Sequence, residues 1–339
     1  MTGRATARDV AELAGCSAAT VSLVVNGKSA GRVTPETEKR VLDAVRQLDY
    51  RVNTTASSLA RRDRTAVAFV SPDPTNPFFS LVVEGLSAEL DERLSLTLLV
   101  PSHGDDYDPS TVRRALAGDL AGLVLVSPGR ALLDDFTPTC PTVLLDGGGP
   151  REGIATIDLD LESAAAEIAE HLVGLGHSRV AYLGIARDKT SLYRRRDALA
   201  VELAERGAIM PVDDLTVPRM ASEFADAEFE KAWPAWREAG VTAVVCGDDL
   251  LAYGVLAAAA RLGIRVPDDL SILGFNDLPF SSMLAPTLTS VDLAPRELGR
   301  RTARALGALL AGSRPGPELL PTKLKARAST GPASPATAA

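Results

Sequence analysis

Several things are scarce in this 339-residue chain, and each scarcity excludes something. There are three cysteines, Cys16, Cys140 and Cys246, an odd number set far apart. No disulfide framework follows from that spacing, which fits a reducing compartment, the cytoplasm. There are three histidines, and His171 and His177 flank a helix end six residues apart while His103 stands alone. That is not metal-ligand spacing, so neither a metal nor another cofactor is expected. No stretch of 18 uncharged apolar residues occurs, which excludes a membrane-spanning helix. Met1 to Val10 holds Arg4, Arg8 and Asp9 and leads into no apolar core, so no secretory signal is expected.

Catalytic signatures are absent as well. Neither GxGxxG, GxxxxGK[ST] nor GxSxG appears, and Gly147-Gly148-Gly149 lacks the spacing and the following helix. Asp248 and Asp249 are adjacent and should point differently, so they form no acid/base pair by themselves. The chain is therefore read as no enzyme. Its 46% hydrophobic and 24% charged residues are ordinary for a globular protein, and its length suits two or three domains.

What is present is a charge split. Net charge is −8, yet residues 1–64 carry 11 basic and seven acidic side chains. The rest carries 25 basic and 37 acidic ones. A small basic head on a large acidic body suggests a head that meets an anion and a body that does not.

In the head, Ala7 to Ala14 reads as a helix with Val10, Leu13 and Ala14 on one face, stopped by Gly15. Ser17 is placed to cap a second helix from Ala18 to about Val25, with Val21, Val24 and Val25 as its buried stripe. Thr34-Pro35-Glu36 opens a third helix whose apolar face is Val41, Leu42, Val45 and Leu48, ending near Tyr50. Two short helices joined by a glycine turn, closed by a third, make a helix-turn-helix unit; a trihelical protein-binding module is the alternative.

The runs DVAELAGCSAATVSLVVNGK and VTPETEKRVLDAVRQLDYRVN strongly resemble the head of the lac repressor/gal repressor family of bacterial transcription factors. The match covers residues 7–62. The resemblance implies base-reading positions at Ala18, Ala19 and Leu23, and phosphate-positioning groups at Ser17, Thr20, Ser22 and Asn26, with Thr6 and Lys28 also on the DNA. The family commonly has arginine where Leu23 stands. Alanine and leucine only pack, for instance on thymine methyls, so direct readout is expected to be weak. Lys28, Arg32 and DNA shape then contribute more. Residues 53–60 resemble the family's hinge helix, with Asn53 as cap and Leu59 as the apolar wedge that unstacks a base step. Val52 replaces the family's usual proline, which leaves the hinge looser without DNA.

Beyond residue 65, strand-like and helix-like runs alternate. Strands are expected at 66–70, 96–100, 122–126, 142–146, 180–184, 243–246, 271–274 and 288–292, short and apolar as strands buried on both faces should be. Helices are expected at about 79–93, 161–174, 192–206, 250–262 and 296–311. This predicts a doubly wound α/β body with ligands at the carboxyl ends of its strands. The family blocks VSPDPTNPFF, HLVGLGHSRVAYLG, CGDDLLAYGVLAAAARLGIRVPDDLSILGFND, APTLTSVD and LPTKLKARAST extend the resemblance through this region. They imply the two-lobed, type I periplasmic-binding-protein-like fold with parallel doubly wound sheets. The expected organisation is a head at 1–62 and a body at 63–330. Its N-lobe should be 65–161 plus 293–323 and its C-lobe 162–292 plus 324–330. Gly331–Ala339 reads as a disordered tail.

By the same resemblance, effector contacts should come from Phe78 and Phe79, Asp146, Lys189, Ser191, Arg195, Asp248, Asp249 and Asn276. An aromatic face stacks on a sugar ring or base, a guanidinium contacts hydroxyls or carboxylates, and Asn276 stands where many members have aspartate. The implied function is a DNA-binding transcriptional regulator, a repressor, binding a palindromic operator as a homodimer. Its effector would be a carbohydrate, with nucleobases or nucleosides as the lesser alternative. A plain periplasmic solute receptor would need an export signal and no basic head.

Overall fold

Thr6 shows how local chemistry sets the first helix. Its hydroxyl accepts from the Asp9 amide (3.4 Å) while the Asp9 carboxylate accepts from the Thr6 amide (2.7 Å), a capping box that opens α1 (Ala7–Ala14). Gly15, at φ 63°, closes that helix in the left-handed conformation that glycine adopts without strain. Ser17 Oγ accepts from the Thr20 amide (3.1 Å) at the start of α2 (Ala18–Val25). Thr34 caps α3 (Pro35–Gln47), with Pro35 in its first turn. The computed structural model describes residues 5–25, 27–50, 65–100, 112–113, 116, 118–134, 136–185 and 190–334.

The head buries Val10, Ala11, Ala14, Val21, Val24, Val41 and Ala44. Leu13 and Leu42, expected inside, are 47% and 43% exposed, and Val25 is only half-buried. The reason is helical phase: at 3.6 residues per turn each leucine lies about 100° off the centre of its helix's buried stripe. Ala11 and Ala44 take the inner positions instead. Helix α3 also ends at Gln47 rather than near Tyr50, and Asp49 follows at φ 43°.

Residues from Thr65 onward form a separate unit. It contains β1 (Ala66–Val70), α4 (Pro77–Glu89), β2 (Ser95–Leu99), β3 (Leu120–Val126), α5 (Arg130–Asp134), β4 (Thr142–Leu145) and β5 (Ala155–Leu159). It continues with α6 (Leu161–Gly174), β6 (Val180–Ile185), α7 (Thr190–Glu205), β7 (Leu215–Val217), α8 (Ser222–Glu238), β8 (Ala243–Cys246), α9 (Asp249–Leu262) and β9 (Ser271–Phe275). After a short 3-10 turn at Pro279–Ser282 come β10 (Thr289–Asp292), α10 (Pro295–Leu310), β11 (Glu318–Leu320) and β12 (Lys323–Lys325).

The strands build two six-stranded sheets, ordered β11-β5-β4-β3-β1-β2 and β12-β10-β9-β8-β6-β7. All pairings are parallel except β10 with β12. The chain therefore passes between lobes after β5, after β10 and between β11 and β12. Thr322 Oγ1 donates to the Asp160 carbonyl (2.9 Å), tying two of these crossings together.

Four strands, β5, β7, β11 and β12, and helices α5 and α8 escape a reading of apolar runs. The strands are three to five residues long, and β5, β11 and β12 carry charged side chains. Pro234 interrupts the helical pattern of α8. Strand β2 forms the edge of its sheet and leaves Leu98 55% exposed, so it is not buried on both faces as expected. Residues 331–334, read as the start of a disordered tail, are held in place. His177 Nε2 bonds the Gly331 carbonyl (3.0 Å), the Gly331 amide donates to Ser271 Oγ (3.1 Å), and the Ala333 amide donates to the Leu175 carbonyl (2.8 Å).

Helices α4 and α10 cross at two glycines. A Cβ on Gly85 would sit 2.0 Å from the Arg296 carbonyl oxygen, and one on Gly299 would sit 2.1 Å from that of Val82. Ion pairs Arg296–Glu84 (2.9 Å) and Arg304–Glu89 (2.6 Å) flank the crossing. The two backbones touch at this crossing, so a side chain at either glycine would push the helices apart.

Candidate functional site

Seven strand ends and one helix start meet at one place. The residues following β1, β3, β4, β7, β8 and β9, together with the end of β6 and the start of α4, line a cleft of about 710 Å³, counting the space open to solvent. Parallel sheets gather function here because loops after strand C-termini converge and helix N-termini point inward.

From the first lobe come Pro72, Asp73, Asn76, Phe78, Phe79, Ser127 and Asp146. Phe78 is buried and Phe79 half-buried, and their rings meet edge to face at 5.4 Å. Asp146 is 3% exposed, and Ser127 Oγ donates to its Oδ2 (3.1 Å). The glycine run beyond it is anchored by Asp158, whose carboxylate accepts from the amides of Gly148 (3.0 Å) and Gly149 (2.9 Å). Glycine is required here: φ is 82° at Gly148 and 126° at Gly149.

From the second lobe come Ile185, Leu192, Arg195, Arg219, Met220, Asp248 and Asn276. The triplet Arg194-Arg195-Arg196 is resolved by helical rotation. Arg194 pairs with Glu162 (3.1 Å) and Arg196 with Asp214 (2.7 Å), while Arg195, 5% exposed, enters the cleft. Its guanidinium donates to the Gly247 carbonyl (2.8 Å) and lies 5.0 Å from the centre of the Phe275 ring. Its Nε is buried without a partner among the described residues.

Asp248 is the hub. Its Oδ1 accepts from the Leu250 amide (2.8 Å), which caps α9. Its Oδ2 accepts from Asn276 Nδ2 (2.6 Å) and from Asn76 Nδ2 (2.8 Å). Burial pushes its carboxyl up to about 6, against these donors and nearby Arg195, which pull it down.

Three cleft residues, Ser127 (φ 44°), Asp146 (φ 51°) and Asn276 (φ 106°), hold the positive φ that side chains disfavour. Each stands directly after a strand, and such conformations persist only where the surroundings over-determine them.

Asp249 is not in the cleft. It points into the second lobe, fully buried, and accepts from Ser281 Oγ (2.6 Å), Ser290 Oγ (2.6 Å) and the Leu278 amide (2.7 Å). Burial pushes its carboxyl up to about 7. Successive helix residues point about 100° apart, so only one of two adjacent aspartates faces the ligand side. Lys189 lies outside the described residues, and so does the Ser191 side chain, although Ser191 is part of α7. Asn76, Asp73, Ser127, Arg219 and Met220 were missed by sequence reasoning. Their common signal is position just beyond a strand's carboxyl end.

On the head, α2 turns Val21 and Val24 inward and leaves Ala18, Ala19 and Ser22 exposed. Ser17, Lys28 and Arg32 are exposed and Thr20 and Leu23 half-buried. Ser17 and Thr20 share a hydroxyl–hydroxyl bond (2.9 Å), and Thr6 is exposed at the start of α1. Asn26, Asn53 and Leu59 lie outside the described residues.

Comparison with known proteins gives consistent matches. Residues 6–53 match the family described as bacterial regulatory proteins, lacI family, and residues 169–330 match a periplasmic binding protein-like domain. The chain is 33% identical to the HTH-type transcriptional regulator AglR of Rhizobium meliloti, over 96% of this chain and 94% of that one. It superposes on the lac repressor dimer bound to operator and an anti-inducer with a TM-score of 0.74 and 25% identity, covering 97% of this chain and 100% of that one. A complex of the transcriptional regulator CelR with cellobiose gives 0.68 and 26%, covering 96% and 100%. No helix among the described residues is long and apolar enough to cross a membrane.

Proposed function

Starting from the fact that the chain belongs to the lacI family of bacterial regulatory proteins, we propose that it is an operator-binding repressor controlled by an uncharged sugar held between its lobes. It is a transcriptional regulator and not an enzyme, as its relatives are. It acts in the cytoplasm as a homodimer on a palindromic operator, each head reading one half-site. Ala18, Ala19 and Leu23 of α2 meet base edges. Ser17, Thr20, Ser22 and Asn26 position phosphates, and Thr6, Lys28 and Asn53 add backbone contacts. Leu59 wedges into the minor groove. The effector shifts operator affinity by preferring one arrangement of the lobes.

The observation that carries the effector's charge is the pairing inside the cleft. Arg195 is already engaged by the Gly247 carbonyl and the Phe275 ring, beside the Asp248 carboxylate. Among the described lining residues, the acidic Asp73, Asp146 and Asp248 outnumber the basic Arg195 and Arg219. A hydroxyl-rich neutral ligand matches these donors and acceptors, whereas a phosphate or carboxylate meets net negative charge. Phe78 and Phe79 supply the apolar wall for a sugar ring.

Thermal denaturation with neutral sugars, sugar phosphates, nucleosides and purine bases tests this. A ligand at about 100 times its Kd adds roughly 2.7 kcal/mol of stability. Stabilisation by a neutral sugar, and a matching change in operator binding by fluorescence anisotropy, is the expected result. Stabilisation only by anionic sugars or purine bases overturns it.

A further inference from the structure

One hydrogen bond in the cleft joins the lobes directly. Asn76 belongs to the first lobe and Asp248 to the second, and the Asn76 Nδ2 to Asp248 Oδ2 bond (2.8 Å) is buried. Both residues are helix caps: Asn76 Oδ1 accepts from the Phe78 amide (3.0 Å) to open α4, and Asp248 opens α9. The cap residues of two helices, one from each lobe, therefore meet at a single carboxylate. Asp248 Oδ2 already holds two amide donors, from Asn76 and Asn276. An oxygen with two donors has no further capacity, so a ligand hydroxyl can bond Oδ2 only by displacing one of them. Asn276 sits on the same lobe as Asp248 in a constrained backbone at φ 106°, which leaves Asn76 as the displaceable partner.

The consequence of displacing it is not confined to the cleft. Helix α4 is fixed to α10 through the Gly85 and Gly299 contacts and two ion pairs. The start of α10 follows directly on a crossing between lobes, at Ala294. Movement at Asn76 is thus passed to a rigid helix pair rather than absorbed in a loop.

We propose that Asn76 is a positioning residue that latches the lobes through Asp248, and that effector binding is transmitted by competition for that one oxygen. This rests on the cleft being the effector site, and it names a specific bond through which that site is regulated. Sequence reading assigned no role to Asn76 beyond its place in the run NPFF.

Exchanging donor and acceptor tests the latch. In the full-length chain, Asn76→Asp keeps the α4 cap oxygen but sets a second carboxylate against Asp248. The double variant Asn76→Asp/Asp248→Asn restores one donor and one acceptor, and the Asn276 amide can turn to suit. The first readout is affinity for a palindromic DNA selected from random sequence by the wild-type chain. The expected result is a change of at least about tenfold in the single variant, the scale of a lost hydrogen bond to a charged group, with return to near wild type in the double variant. Hydrogen exchange at the α9 amides, across the cleft from the substitution, should rise in the single variant and recover in the double. Unchanged DNA affinity and unchanged α9 exchange in Asn76→Asp overturn the latch, as does a double variant no better than the single. Failure of the wild-type chain to select any DNA instead overturns the regulator reading, while the exchange measurement still judges the latch.

Discussion

The head and the cleft solve recognition in opposite ways. The outward face of α2 holds small or apolar groups, Ala18, Ala19, Ser22 and Leu23, none of them charged. The positions proposed to meet DNA on and beside α2, residues 17–28, are exposed or half-buried where described. The cleft gathers charged and amide groups scattered from residue 73 to residue 276, and its polar centre, Asp248, Arg195, Asn76 and Asn276, is buried. The difference teaches where specificity resides. An exposed surface that meets a strongly charged polymer needs only shape and a few positioning contacts. A cleft lined by buried polar groups, as proposed for a neutral solute, discriminates because those groups punish a wrong ligand by going unsatisfied.

The sharpest way to break this comparison is Arg195→Ala. It removes a buried cation beside Asp248 and is expected to cost about 3–5 kcal/mol in the body, with loss of effector binding by calorimetry. Head folding, followed separately by the exchange of α1–α3 amides, should not change. If both regions destabilise together, they are energetically one unit and the contrast fails.

Next is pH. Asp248 and Asp249 are held protonated in the native state above the ordinary carboxyl range, up to about 6 and about 7. Between roughly pH 4 and pH 7 these two carboxyls bind more protons folded than unfolded, so their contribution to stability falls as pH rises through that window, against the opposite slope from His171 and His177, which burial pushes down. Asp249→Asn should flatten that fall, as measured by urea denaturation across the range. An unchanged slope would show that other groups set it.

Packing gives a smaller effect. Gly85→Ala places a methyl against the Arg296 carbonyl and should cost about 1–3 kcal/mol as α4 and α10 are pushed apart. In the head, Thr34→Ala removes the cap of α3 and should cost about 1 kcal/mol, seen in head amide exchange and not in the body's Tm. The smallest change is Lys28→Ala, which should weaken DNA binding evenly across sequences and lower the salt slope by about one unit. A loss confined to some sequences would mean that Lys28 reads bases.

The contrast also explains what could be read in advance. Helices α1, α2 and α3 were legible because Gly15, Ser17, Thr34 and Pro35 act within a turn of their own position, while the Thr6 cap of α1 emerged only in the structure. The two errors of facing, Leu13 and Leu42, arose where a leucine adjoins the stripe and a smaller residue takes the interior. In the body, the apolar strands were legible, while β5, β7, β11 and β12 were too short or too charged to stand out.

Local chemistry written in the chain thus determined the caps, the turns, the helix-turn-helix head and the alternating body, while Arg195 was named by the family resemblance and its inward place in the triplet was fixed by packing. Only the tertiary structure decided the rest. It sent Asp248 into the cleft and its neighbour Asp249 into the second lobe, and it set Asn76 against a carboxylate 172 positions away. The physical reason is range. A cap or a periodic stripe is fixed by bonds between near neighbours, whereas a contact across two lobes depends on how both sheets stack and where three crossings return the chain.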